Sequence, residues 1–204
     1  MDAYAFANAL PRCPRMSLIY GAKTFLRRFQ DRMSDAEIAR LYEWSRDPEL
    51  LRLSGGTVTD LTWDEFREHV RGERLYGPTN RRMFLIFARE NLELIGRTGI
   101  FGIDWHQRQA ELGIMIGERA YQNRGYGRDA VSALLYHLYS SSSLDLIYLY
   151  TFADNARAQH AFAAAGFHAT WQGSRFTFGL GEFESVRMEI TRAEFSKLEF
   201  APQC

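Results

Sequence analysis

The chain of 204 residues carries 25 basic and 25 acidic side chains, and 46% of it is hydrophobic. Zero formal net charge removes the overall field that nucleic acid or an anionic membrane surface would select. The length suits one sizeable core, and no apolar run approaches the roughly 18 to 20 residues that a membrane-spanning helix needs.

Residues Met1 to about Ala22 contain two prolines and no sustained periodicity, which predicts a loose extension (1–22) ahead of one domain (23–193) and a short tail (194–204). The N-terminus has no basic region followed by an apolar segment, so no signal peptide is expected. Cys13 and Cys204 lie near opposite ends without the spacing of a zinc site or disulfide framework. The expectation is a soluble, cytoplasmic protein without a metal centre.

Thr24 to Phe29 reads as the first strand. Ser34-Asp35-Ala36-Glu37 is a capping box, and Ile38, Leu41, Tyr42 and Ser45 continue at helical spacing until Asp47-Pro48, which is expected to end the helix. Leu53-Ser54-Gly55-Gly56 reads as a flexible connection. Thr62-Trp63-Asp64-Glu65 is a second capping box, opening a helix through Phe66, His69 and Val70.

Three strand-like runs follow, Arg82 to Ala88, Leu94 to Ile103 and Glu111 to Ile116, separated by turns at Asn91 to Glu93 and Trp105 to Arg108. Adjacent antiparallel pairing is the simplest topology for them. Next comes Gln122-Asn123-Arg124-Gly125-Tyr126-Gly127, a glycine turn before a helix with Val131, Leu134, Leu135 and Leu138 on one face. Such a turn suits a pyrophosphate, because glycines admit close backbone approach and the helix start leaves amides unpaired. It is neither a P-loop, which needs a following Lys-Ser/Thr, nor a dinucleotide fingerprint, which needs a third glycine.

Ser140 to Ser143 close that helix, and Leu146 to Thr151 is a nearly continuous apolar strand, expected to be buried on both faces. A right-handed crossover makes it parallel to the strand ending at Ile116. Asp154 is the expected N-cap of a helix with Ala158, Ala161, Phe162 and Ala165 as its stripe. Phe167 to Phe178 and Phe183 to Ile190 then form a terminal hairpin.

The pattern Q/R-x-x-G-x-G/A at 122–127, followed by Asn155-Ala156-Arg157-Ala158 and a terminal Gly166-Phe167, resembles the GCN5-related N-acetyltransferases (GNAT). The likeness is specific from Ala110 to Phe167, looser from Thr24 to Asp104 and from His168 to Arg192. It implies an α/β (α+β) fold: a mixed, mostly antiparallel central sheet with a splayed parallel strand pair and flanking helices.

It also implies acetyl-CoA as acyl donor, its pyrophosphate on Gln122, Asn123, Arg124, Gly125, Tyr126 and Gly127. The pantetheine arm would bind Ile114, Met115 and Ile116, with Asn155 and Phe162 beside it. Within the family, the end of the first helix and Ala110 to Ile114 look most like the ribosomal-protein-alanine and polyamine acetyltransferases.

Acetyl transfer from a thioester to an amine needs a base, an oxyanion donor and an acid. Family likeness assigns Glu111 as base, with Asp104 and His106 in reserve, and the backbone N–H near Met115 as oxyanion donor. Where many members place a tyrosine acid, this chain has Phe162, which cannot donate a proton. Water, Tyr126 or Tyr150 would then protonate the thiolate, or catalysis has been lost.

The acceptor implied is a primary amine of a small molecule or a protein N-terminus. Trp44 and Trp63 either line its pocket or pack a helix pair, and Glu65, Glu68, Glu111 and Glu184 would attract a cation if they share a cleft. A non-catalytic acetyl-CoA sensor and a cofactor-free scaffold are the competing readings. Homodimerisation through the hairpin or sheet edges is left open.

Overall fold

A computed structural model describes residues 18–29, 31, 33–76, 80–177 and 181–198. Cys13, Cys204 and part of the turn inside the terminal hairpin lie outside the described residues. The elements in order are β1 (Ile19–Tyr20), β2 (Thr24–Arg28), α1 (Asp35–Trp44), α2 (Pro48–Ser54), α3 (Trp63–Tyr76), β3 (Arg82–Ala88), β4 (Leu94–Asp104) and β5 (Gln109–Ile116). A 3-10 turn at Arg119–Tyr121 leads into α4 (Tyr126–Ser141), followed by β6 (Leu146–Phe152), α5 (Ala156–Ala163), β7 (His168–Thr177), β8 (Gly181–Thr191) and α6 (Arg192–Phe195).

Among the described residues the strands form one eight-stranded sheet in the order β1-β2-β3-β4-β5-β6-β8-β7. Every neighbouring pair is antiparallel except β5 and β6. The helical crossover α4 joins that parallel pair, as expected. On one face of the sheet α4 buries Val131, Leu134, Leu135 and Leu138 against Ile100, Leu112 and Ile147. On the other, α1 and α3 bury Ile38, Leu41, Trp44 and Val70 against Leu85, Phe87 and Met115.

Both expected capping boxes close. Ser34 and Glu37 satisfy one another's backbone amides at the start of α1. Thr62 and Glu65 do the same before α3. Each occupies donors that a helix start otherwise leaves orphaned.

Five expectations are corrected. The first helix ends before Asp47-Pro48 as expected, but Leu53-Ser54 are not a flexible connection: Asp47 Oδ1 accepts from Leu50 N at 3.0 Å, Pro48 supplies the first turn of a second helix, and Leu53-Ser54 belong to α2. The N-cap of α5 is Asn155, whose side chain accepts from Ala158 N, in place of Asp154. β6 alternates instead of being buried throughout: Ile147 and Leu149 face the core while Tyr148 and Tyr150 are half-buried. The loose extension was expected to reach Ala22, yet Ile19–Tyr20 pairs with Phe25 and Leu26. The tail was expected from residue 194, yet α6 is capped by Thr191 and Glu194 and buries Phe195 against Tyr139.

Candidate active site

The parallel pair opens into a wedge. β5 and β6 pair only at Gln109, Ala110 and Glu111, opposite Leu146, Ile147 and Tyr148. Beyond that point β5 stays on β4 as far as Ile116, and β6 stays on β8 as far as Phe152. Each strand therefore turns one edge toward the gap.

Hydrogen-bond direction tells which groups face it. Alternate residues of an antiparallel ladder address the same neighbour. Gly117 N–H donates to Ile95 O at 2.9 Å, and Gly113 O accepts from Thr98 Oγ1 at 2.9 Å. Gly113, Met115 and Gly117 thus address β4, leaving Ile114 and Ile116 to address the gap. Gln122 Nε2 reaches the Ile116 carbonyl at 2.9 Å from the gap side. The backbone N–H of Met115 points to β4, so an oxyanion donor on this strand belongs to Ile114 or Ile116.

Gln122 to Gly127 close the wide end of the wedge. Asn123 (φ 59°) and Gly125 (φ 84°) are left-handed, and Gly125 is the N-cap of α4 without supplying a side-chain bond. The first amides of this 16-residue helix are consequently left without a side-chain acceptor, at the positive end of its dipole.

The carboxylate in the first turn, Asp129, is turned elsewhere. Its oxygens accept from the backbone N–H groups of Ala22, Lys23 and Thr24 and from Thr24 Oγ1 at 2.7–3.0 Å. Lys23 Nζ donates to Arg124 O at 2.9 Å. The β1–β2 turn thus braces the glycine loop, a role the sequence pattern did not disclose. Asp129→Ala leaves the buried Thr24 without its acceptor. It should cost about 2–3 kcal/mol by thermal unfolding and weaken nucleotide binding at the loop.

A cavity of about 540 Å³ joins wedge and loop. Of the expected cofactor residues, Ile114, Met115 and Ile116 line it from β5 and Gln122, Asn123, Gly125 and Gly127 from the loop. Asn155 and Phe162 line it from the α5 segment. Arg124 and Tyr126 do not. Arg124 folds back on Ala120 O, and the Tyr126 ring is buried with its hydroxyl donating to Glu90 at 2.8 Å.

Sequence reading missed Leu50 and Ser54, which enter on the unforeseen α2, and Arg157, whose guanidinium donates to Gln122 Oε1 at 3.1 Å and ties α5 to the loop. Phe162 packs edge-on against Phe167, centroids 5.9 Å apart.

Glu111 sits where the wedge begins, paired to Phe101 on β4 and Tyr148 on β6. With Gly113 and Met115 it lies on the sheet face opposite α4. Burial pushes its carboxyl above the usual range, partly offset by the nearby Arg175 and Arg187 guanidinium groups. Glu111 does not line the cavity that joins wedge and loop, but a carboxyl whose proton affinity is raised at the point where the strands part is suited to take a proton.

A protein-family model described as an acetyltransferase (GNAT) domain matches residues 25–168. The chain belongs to the GNAT acetyltransferase family. It is 26% identical to a spermidine N(1)-acetyltransferase of Vibrio cholerae over 135 residues, 66% of this chain and 76% of that protein. It is 30% identical to an uncharacterized N-acetyltransferase, p20, of Bacillus licheniformis over 134 residues, 65% of this chain and 71% of the relative.

Among solved structures, spermidine N-acetyltransferase from Vibrio cholerae in complex with CoA and spermine superposes with a TM-score of 0.72 at 19% identity. The match covers 86% of this chain and 99% of that one. A GNAT-family acetyltransferase from Bacillus anthracis gives 0.69 at 15% identity, covering 87% and 100%. The fold expected from the glycine loop is the fold observed.

As a GNAT enzyme, this acetyltransferase moves an acetyl group from acetyl-CoA to an amine. The donor fits the groups present: uncapped α4 amides for the pyrophosphate, and a cavity flanked by inward-facing strand backbone for the pantetheine amides.

On the acceptor side several candidates do not assemble. Trp44 is buried over Gly117 and donates to Glu118 Oε1, and Trp63 meets Tyr42 edge-on, so both pack helices. Asp104 accepts from the turn amides of His106 and Gln107, leaving His106 on an exposed turn. Glu65 is spent on its cap, Glu68 pairs with Arg71, and Glu184 is exposed.

Proposed function

We propose that acetyl passes directly to a small primary amine in a ternary complex, with Glu111 as base and no covalent enzyme intermediate. The observation that carries this reading is Glu111 at the narrow end of the wedge, its carboxyl raised by burial, with its face turned away from the donor-side helix α4. The neutral amine attacks the thioester carbon and the C–N bond forms. The C–S bond breaks, the amine proton goes to Glu111, and the departing sulfur takes a proton.

The Ile114 N–H, on the gap-facing side of β5 and nearer Glu111 than Ile116, is the donor to the developing oxyanion. Gln122, Asn123, Gly125 and Gly127 hold the pyrophosphate, while Asn155 and Phe162 bound the pantetheine arm. Phe162 has no proton to give, and of the hydroxyls considered Tyr126 is committed to Glu90. Tyr150, half-buried on the same sheet face as Glu111, lines a further cavity between β6 and the terminal hairpin and takes the role. Tyr150→Phe should lower kcat about tenfold with little change in acetyl-CoA affinity. An unchanged kcat would assign the proton to water.

Thiol release from acetyl-CoA with a panel of polyamines, amino sugars, amino acids and free peptide N-termini tests the reading. Release that depends on one amine class supports it. Release at equal rate without any amine would instead indicate hydrolysis.

A further inference from the structure

We infer that the amine acceptor carries an anionic group, a carboxylate or phosphate, a few bonds from the nitrogen, and that Arg175 and Arg187 hold it. The inference rests on the acceptor site proposed above. β6 turns Tyr148 and Tyr150 to the same sheet face as Glu111, and two arginines lie on these rings. Arg187 sits over Tyr148 at 4.4 Å and Arg175 over Tyr150 at 3.4 Å from the ring centroids. Stacking fixes each planar fork and leaves its edge for a ligand.

Both guanidinium groups line a second cavity of about 600 Å³, together with Tyr150 and Ser174. Their charge is incompletely matched. Arg187 Nη2 meets Glu189 Oε2 at 3.2 Å, but its Nε is buried without a hydrogen-bond partner. Arg175 has no ion pair among the described residues.

Against these two cations the face offers Glu189, already paired with Arg187, and Glu111, reserved for the proton. A polycation would meet repulsion here, and Glu65, Glu68 and Glu184 do not line this cavity. Because Arg187 leans over Tyr148, the β6 neighbour of Glu111, amine and anion sites are separated by about one strand spacing, roughly 5 Å. An amine and an acid on one small skeleton fit that interval, and Arg forks match carboxylate or phosphate in the bidentate manner.

Matched acceptor pairs test this with the full chain: amino acids against their amides, and phosphoethanolamine against ethanolamine, with spermidine alongside. The expected result is kcat/KM at least about 100-fold higher for the acid-bearing member of one pair, the pair identifying carboxylate or phosphate. Arg175→Gln and Arg187→Ala should each collapse that preference toward unity, through KM more than kcat.

A preference for the neutral twin or for spermidine overturns the inference, as does an equal loss on both twins in the arginine variants. If no acid-bearing amine turns over while acetyl-CoA still raises the melting temperature, this inference fails and donor binding stands. If acetyl-CoA gives no thermal shift, the proposed donor site itself fails.

Discussion

Glu111→Gln should lower kcat by about 100- to 1,000-fold while leaving acetyl-CoA affinity within about twofold of the parent. Gln keeps the shape of the side chain and its place in the ladder between Phe101 and Tyr148 but cannot take a proton. The acid limb of the kcat/KM profile should vanish with it. In the parent that limb lies above the ordinary glutamate range, because burial is the largest influence on Glu111 and the arginines only partly oppose it.

The stability consequence has a definite sign. A carboxyl raised in the folded state binds its proton more readily there than in the unfolded chain. Stability therefore falls as pH rises from the unfolded pKa through the raised one. At pH 7 the neutral amide escapes this loss, so Glu111→Gln should melt at or above the parent temperature while being catalytically crippled. Parallel loss of melting temperature and activity would make Glu111 a structural residue and move the base elsewhere.

Gly127→Leu should raise the acetyl-CoA dissociation constant by at least about 100-fold, some 2.7 kcal/mol, with the melting temperature nearly unchanged. Gly127 lies inside the first turn of α4 without a positive φ, and a Cβ there would meet only Ile116 Cγ1, at an ordinary 3.6 Å. The fold thus has room for a side chain, and leucine is a better helix former than glycine. What the longer side chain fills is the cavity mouth, where the pyrophosphate must approach the amides.

Gly127→Ala should bind almost normally. Gly125→Ala acts differently: a Cβ there also finds space, with Lys23 Nζ 3.7 Å away, but φ of +84° strains the loop by about 1–2 kcal/mol. Unchanged affinity in Gly127→Leu would remove the loop from the donor site.

Local signals in the chain disclosed much of this. The capping boxes at Ser34 and Thr62, the 3.6-residue stripe of α4 and the turn residues between β3, β4 and β5 each act over a few neighbours. The sequence alone is enough to read them. Pro48 marked the end of α1, but the same missing N–H also suits a helix start, and only Asp47 reaching Leu50 N shows that one begins there.

β6 looked buried on both faces because Tyr148 and Tyr150 are apolar in bulk, although both are only half-buried, beneath arginines of the terminal hairpin. Long-range pairings were invisible. Asp129 reaches Ala22 to Thr24, Arg157 reaches Gln122, and Arg175 and Arg187 cover the β6 tyrosines. The Met115 assignment depended on ladder phase, which a strand pattern does not contain.

Backbone amide hydrogen exchange at Ile114 and Ile116, with and without acetyl-CoA, tests the central claim most directly. If the splayed strands receive the pantetheine arm, both amides slow by at least about tenfold on saturation, while Met115, already directed to β4, changes little. Saturating acetyl-CoA that leaves Ile114 and Ile116 unprotected would contradict the wedge as the donor site.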